Sequence, residues 1–503
     1  MRIDEYCNQD GIGLSELIRR REVSAHEVLD VAVEAIGLVN PKLNFLAQDM
    51  RTEAYAQLAN LDINASPLAG VPILLKDLLL ENKGWPTHSG LALLSEATAQ
   101  EDSALAAAYR SAGLLFVGKS TTPQLGLFPF TESEWYGITR NPWDQERTPG
   151  GSSGGAGAAV AARAVAIAHG GDGGGSIRIP ASHCGLFGLK PSRGRITTAP
   201  LLDSWMGCVV QHALTRSVRD SAAMLDIAVK AQGRLSELYR CPPVAGSYLN
   251  SLEFPLPRLK IAFTVEPFLG GKVIPEVKAA MDHTIHLLNH AGHHIEEARP
   301  HMLPPEQLNP AVLSMLSGLV AAIKRELERA LNRPLRARDF EASVWAMVCV
   351  GEHSSAGKAL AARELLMKQA EVMAKFHEQY DLLLTPTMPV LPPKIASLGP
   401  NPKEITALRW LERLGLSWTL PHNPILRANS FKLQQHVGFL LPFNCTGQPA
   451  ISLPLYWHEG RLPVGVQLVA PFGREDLLLQ LARELEMIQP WQHHIPPIHV
   501  GSV

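Results

Sequence analysis

A chain of 503 residues, 46% hydrophobic and 19% charged, is long enough to bury a substantial core, as one large α/β unit or as two to three average domains. Its 46 Lys plus Arg nearly cancel its 48 Asp plus Glu, so no basic excess exists to hold a phosphate backbone, and nucleic acid is not an expected partner. The start, MRIDEYCNQDGIG, lacks a signal peptide's apolar core, and the most apolar later run, residues 156–168, carries Arg163 and is too short to span a bilayer; the expectation is a cytoplasmic protein with no membrane partner. Six cysteines (Cys7, Cys184, Cys208, Cys241, Cys349, Cys445) form no CxxC and no even ladder, which reads as buried thiols rather than a disulfide frame or a zinc site.

In chain order, residues 13–60 read as helices. Ser24 is an N-cap with Glu27 three positions on, and VLDVAVEAIGLV then repeats at helical spacing. GVPILLKDLL at 70–79 is a turn followed by a short buried strand ending at Lys76. DSALAAAYRSAG predicts a helix near 102–112 stopped by Gly113, and LLFVGKS another strand, an alternation that implies a largely parallel sheet with covering helices. A small-residue segment, AGAAVAARAVAIA, leads into HGGDGGGSIRIP at 169–180, whose end looks strand-like. From about 232 to 436 the texture changes: Pro-rich CPPVAG and LPPKIASLGPNPKE bracket long helical segments such as GKALAARELLMKQAEVMAKFHEQY. DLLLTPTMPV at 381–390, AISLPLYW and GVQLVAPFG look like strands returning to the sheet. The expected organisation is a single α/β domain over 1–503, with a core at 60–230 and 437–490 and a helical substrate-side insertion at about 232–436.

Two glycine-rich turns carry the chemistry, GGSSGG at 150–155 and GGDGGGS at 170–176. Glycine lets successive N–H groups converge on one point, which makes an anion site for a phosphate or a transient oxyanion. Neither turn fits GxxxxGK[ST] or GxGxxG, so the phosphate reading is weak. Each turn carries a serine, and a serine hydroxyl needs a base before it attacks a carbonyl. No GxSxG elbow surrounds either one, so the base is not the usual histidine of that fold. Lys76 is a candidate, because a lysine at the end of an apolar strand loses hydration and its pKa falls towards neutrality. For each residue alone the plainer reading stays open: a solvated lysine and helix-capping serines.

Jointly, the stretch GGSSGGAGAAVAARAVAIAHGGDGGGSIRIPASHCGLFGLKP closely resembles the hallmark of the amidase signature family, with Ser152 and Ser176 lying 24 positions apart. Further similar stretches are GVPILLKD, VGKSTTPQLG, RNPW, LTRSVRD, DLLLTPTMP and FNCTGQPAISLPL, so the resemblance spans most of the chain. It implies the fold of that family, a large mixed twisted sheet covered by helices on both faces. It also implies a Ser-cisSer-Lys triad that needs neither metal nor cofactor. Ser176 would be the nucleophile, Ser152 the bridging serine behind a cis peptide from Gly151, and neutral Lys76 the terminal base. Gly173, Gly174, Gly175 and Ser176 would donate the N–H groups of an oxyanion hole, each donor typically worth about 2.7 to 4 kcal/mol of transition-state stabilisation. Asp172 and Arg178 would hold the loop, with Ser153 as a local hydrogen-bonding partner. Many relatives carry threonines at the positions of Gly171 and Gly173; their loss predicts a looser loop or a wider pocket.

The implied partner is a small-molecule amide, with a homodimer left open. RELERALNRPL, DFEASVW and GREDLLLQLARELE are similar to the 6-aminohexanoate-cyclic-dimer hydrolase branch, pointing to a small amide or a linear or cyclic oligoamide. The alternatives are an aminoacyl-tRNA amidotransferase A subunit, a glutaminase needing partner subunits, and a non-catalytic anion- or nucleotide-binding protein, for which a serine relay would be superfluous. His283, His286, His290, His293 and His294 share helical spacings, yet no HExxH forms and the segment reads as an amphipathic helix, a Gly292 stop and a strand. His169 reads as a packed or loop-fixing histidine, and KRELERA at 324–330 as a solvated face.

Overall fold

The computed structural model describes the chain except residues 202, 204, 232–237, 244–245 and 503, so part of the Pro-rich CPPVAG segment and the expected start of the insertion lie outside the described residues. Short runs of branched apolar residues make the frame. PILLK (Pro72–Lys76) and LFVGKS (Leu115–Ser120) are buried at every position, as expected for strands covered on both faces. They belong to an eleven-stranded sheet whose order runs Leu46–Asp49, Leu115–Ser120, Pro72–Lys76, Ile167–Asp172, Val210–Thr215, Phe187–Lys190, Ala450–His458, Leu462–Val469, Leu382–Pro386, Lys260–Phe263 and His294–Glu297.

The expectation of a largely parallel sheet needs correction. Four of the neighbouring pairs are parallel and six antiparallel. Local alternation of strand and helix signals parallel pairing only between neighbours in sequence. Here Val210–Thr215 returns beside Ile167–Asp172 in the opposite sense, and the last two strands form a hairpin. Within the stretch from 232 to 436, the strand Lys260–Phe263 joins the expected strands His294–Glu297 and Leu382–Pro386, and the three close one end of the sheet.

Ser24 and Glu27 cap the helix Ala25–Leu43 reciprocally, as read from the sequence. One local reading differs, that of SIRIP, and the apolar run before it is only partly helical. The apolar run 156–168 is helical only to Ala161; Arg163 takes a left-handed φ of 63° and the chain re-emerges as the strand Ile167–Asp172, which contains His169. SIRIP is not a strand but the start of the helix Arg178–Cys184. Pro180 falls in its first turn, where no N–H is needed, and the Asp172 carboxylate accepts the N–H groups of Ile177 (3.2 Å) and Arg178 (3.4 Å) in place of a neighbouring cap residue. The histidine-rich segment behaves as read: helix Pro275–His290, Gly292 at φ 90°, strand His294–Glu297.

Candidate active site

The strand Pro72–Lys76 ends beside both glycine turns. Its last side chain is buried, and Lys76 Nζ donates to Ser152 Oγ at 2.7 Å and to the Gly171 carbonyl at 3.4 Å. Burial strips hydration from the ammonium and brings the Lys76 pKa down to about 7, against a smaller opposing pull from the Asp172 charge. The Lys76 backbone N–H donates to His169 Nδ1 at 3.2 Å. Burial pushes that imidazole down to about 3, so His169 is a neutral acceptor holding the strand end rather than a base.

Ser152 is buried behind a cis Gly151–Ser152 peptide. The Ser153 hydroxyl bonds both the N–H and the carbonyl of Gly171 at 3.3 Å, and the Ser153 N–H donates to the Ser176 carbonyl at 3.3 Å, so the first serine turn is stitched to the second. Ser176 is half-buried, and its hydroxyl has no hydrogen-bond partner among the described residues. It lines a cleft of about 720 Å³, open mouth included, walled by Leu127, Phe128, Trp205, Val312, Leu441 and further apolar side chains. No described residue lining that cleft carries a charge.

Between the serines, Asp172 is fully buried and accepts hydrogen bonds from the Gly175 N–H (2.7 Å), from Arg178 Nε and Nη2 (2.9 Å each) and from Asn444 Nδ2 (2.9 Å). Burial alone would raise its pKa, but the Arg178 charge and these hydrogen bonds hold the carboxyl well below the usual range. Arg178 is clamped in turn by Asn444 Oδ1 (2.6 Å), Gln467 Oε1 (2.7 Å) and the Leu440 carbonyl (3.2 Å). The expected set of oxyanion donors is therefore reduced. The Gly175 N–H is already given to Asp172, while the N–H groups of Gly173, Gly174 and Ser176 have no partner among the described residues. Gly175 itself serves the turn, at φ 121°.

The expectation of extra space at the two glycines is altered at one of them. The space left by glycine at position 173 is filled rather than empty, since a Cβ there would lie 2.8 Å from Val209 Cγ2 and 3.1 Å from Trp205 Cε3. At Gly171 a Cβ would meet only the Val210 carbonyl at 3.7 Å, so there the room is real. Cys184 is buried, its thiol pushed far up by desolvation, which makes it an inert packing residue. Asn444 and Gln467 were not singled out from the sequence; a polar residue inside the apolar strand Leu462–Val469 was the available signal for Gln467. Among the described residues, no group of three or more His, Cys, Asp or Glu is placed to hold a metal ion, and no helix is long and apolar enough to cross a membrane. His283 bonds Gln489 (2.8 Å) and His293 pairs with Glu484 (2.9 Å).

A large mixed sheet covered by helices, with a buried strand-end lysine beside a serine of the first glycine turn, is the amidase-signature class of fold. The Amidase family model matches residues 27–479, and the chain belongs to that family. It is 34% identical over 501 residues to the 6-aminohexanoate-cyclic-dimer hydrolase of Pseudomonas sp. (strain NK87), covering 97% of both chains, and 35% identical over 501 residues to that of Paenarthrobacter ureafaciens, again covering 97% of both. A solved 6-aminohexanoate cyclic dimer hydrolase superposes with a TM-score of 0.89 at 32% identity, over 98% of this chain and 99% of that one.

Proposed function

We propose that the chain hydrolyses a carboxylic amide, a small amide or a linear or cyclic oligoamide, through an acyl-enzyme on Ser176. The observation that carries this reading is the 2.7 Å hydrogen bond between the buried Lys76 amine and Ser152 Oγ, directly behind the serine turn that opens into the cleft. A lysine near pKa 7 is half neutral at pH 7 and can accept a proton, which a solvated lysine cannot. In the proposed cycle Ser176 Oγ bonds to the substrate carbonyl carbon, its proton passes to Ser152 Oγ, and the Ser152 proton passes to Lys76 Nζ. The carbonyl oxygen, now an anion, is met by the free N–H groups of Gly173, Gly174 and Ser176. The relay then runs backwards, the leaving nitrogen takes the proton, and the C–N bond breaks. Water attacks the ester by the same route and releases the acid. Asp172 and Arg178 hold the donor loop in place.

The names borne by the two relatives support an oligoamide substrate. A glutaminase of the amidotransferase type is disfavoured by the uncharged cleft, which offers no counter-ion to the α-ammonium and α-carboxylate of glutamine. A pure anion-binding role is disfavoured because burial weakens the very charge of Lys76 that would hold an anion. The test is intact mass after exposure to a serine-reactive phosphonyl fluoride, with Ser176→Ala and Lys76→Ala alongside. One adduct mapping to Ser176, absent from the first variant and formed far more slowly by the second, is expected. An unlabelled, folded wild-type protein would overturn the assignment.

A further inference from the structure

The cleft at Ser176 does not end the available space. A second, larger cavity of about 1490 Å³, open mouth included, lies among the helices Ala342–Glu352, Pro402–Arg413 and Pro424–His436. The two share Phe128, Leu313, Met347, Ser430 and Leu433 as lining, so they meet along one wall. The outer cavity encloses about 410 Å³ of usable room, within the range of roughly 300–1,000 Å³ that takes drug-sized ligands, whereas the cleft at Ser176 encloses only about 100 Å³ and is the narrow end.

From this shared wall we infer that the two cavities join into one track for an extended, uncharged aliphatic amide, with the scissile bond at Ser176 and the chain running past Phe128 and Met347 into the outer chamber. The inference rests on the reading of Ser176 as the reacting end. The chemistry of the walls selects the occupant. The inner cleft has no charged lining residue, so any ion beside the scissile bond would lose hydration without compensation. The outer chamber is lined mainly by apolar groups, among them Leu398, Leu408 and Leu411. Its acid, Glu404, is already engaged by the Asn401 N–H (2.9 Å) and Asn429 Nδ2 (3.3 Å) as part of a helix cap, which leaves that carboxylate little role in binding a cation. Its cation, Lys432, is exposed and keeps its charged head in water. Chain length is thus the property the track measures, and Ala407, exposed on the chamber wall, is a specificity position.

The test uses calorimetric binding to the Ser176→Ala full-length protein, which does not depend on turnover. One series is butanamide, hexanamide, octanamide and decanamide, with the chain on the acyl side. The other is the matching N-alkyl acetamides, with the chain on the amine side. In one of the two, affinity is expected to rise about fourfold per added methylene until the track is full. Ala407→Trp and Ile425→Trp, each tested separately, are expected to cut the long-to-short affinity ratio at least tenfold. Flat affinity in both series, or a ratio indifferent to both tryptophans, overturns the track. Length-dependent binding without hydrolysis by wild-type protein would uphold the track and sink the amidase reading, so the two failures are distinguishable.

Discussion

Lys76 owes its lowered pKa to being dry, and this has a pH signature. Its neutral form is the proposed proton acceptor, and its pKa is lowered to about 7, so kcat/KM is expected to rise as pH climbs through about 7 and then level off. A pH-rate profile on any turned-over amide checks this, and a limb near the ordinary lysine value would contradict it. Trp205 gives a second residue-scale prediction. Gly173→Thr must push against Val209 and the indole and is expected to cost about 1–3 kcal/mol, read from urea midpoints. Trp205→Leu in the same chain is expected to recover part of that loss, a coupling of about 0.5–3 kcal/mol. The proposed reacting residues were legible in the sequence because they lie inside one contiguous signature and a strand-end lysine. Trp205 was not, since its contact with Gly173 depends on a later loop folding back over the turn.

At the scale of elements, the helix Arg178–Cys184 shows why local reading failed. The alternation in SIRIP imitates a strand, while the group that caps the helix, Asp172, precedes it by five or six positions and acts only because Arg178 and Asn444 fix its carboxylate. Asn444→Ala removes hydrogen bonds from two buried charged groups and is expected to cost about 1–3 kcal/mol in a urea titration. It is also expected to lower kcat more than it raises KM, because the donor loop loses its brace while the cleft walls remain. A kcat unchanged in a destabilised protein would show that the brace matters for folding alone. The strand Leu46–Asp49 lies inside the stretch 13–60 read as helices, for a different reason: three half-exposed residues and an exposed Asp49 at a sheet edge give neither an apolar run nor a clean alternation.

At the scale of the whole molecule, distant parts of the chain close on one another. Arg163 donates to the carbonyls of Cys7 and Gln492, and the buried Trp491 donates to the Arg216 carbonyl at 2.9 Å. Trp491→Ala, far from the cleft, is expected to cost about 3–5 kcal/mol of stability, measured by denaturant unfolding. Sheet order at this scale could not be read in advance, because it depends on pairings between strands separated by hundreds of residues. The clamp on Arg178 carries the same lesson into biosynthesis. Lys76, Ser152 and Ser176 have all left the ribosome well before Leu440, Asn444 and Gln467 are made, so a nascent or truncated chain holds every proposed reacting group and yet lacks the struts that aim them. Competence to react would then arrive only with the last strands, sparing the cell an unfinished protein carrying an armed serine.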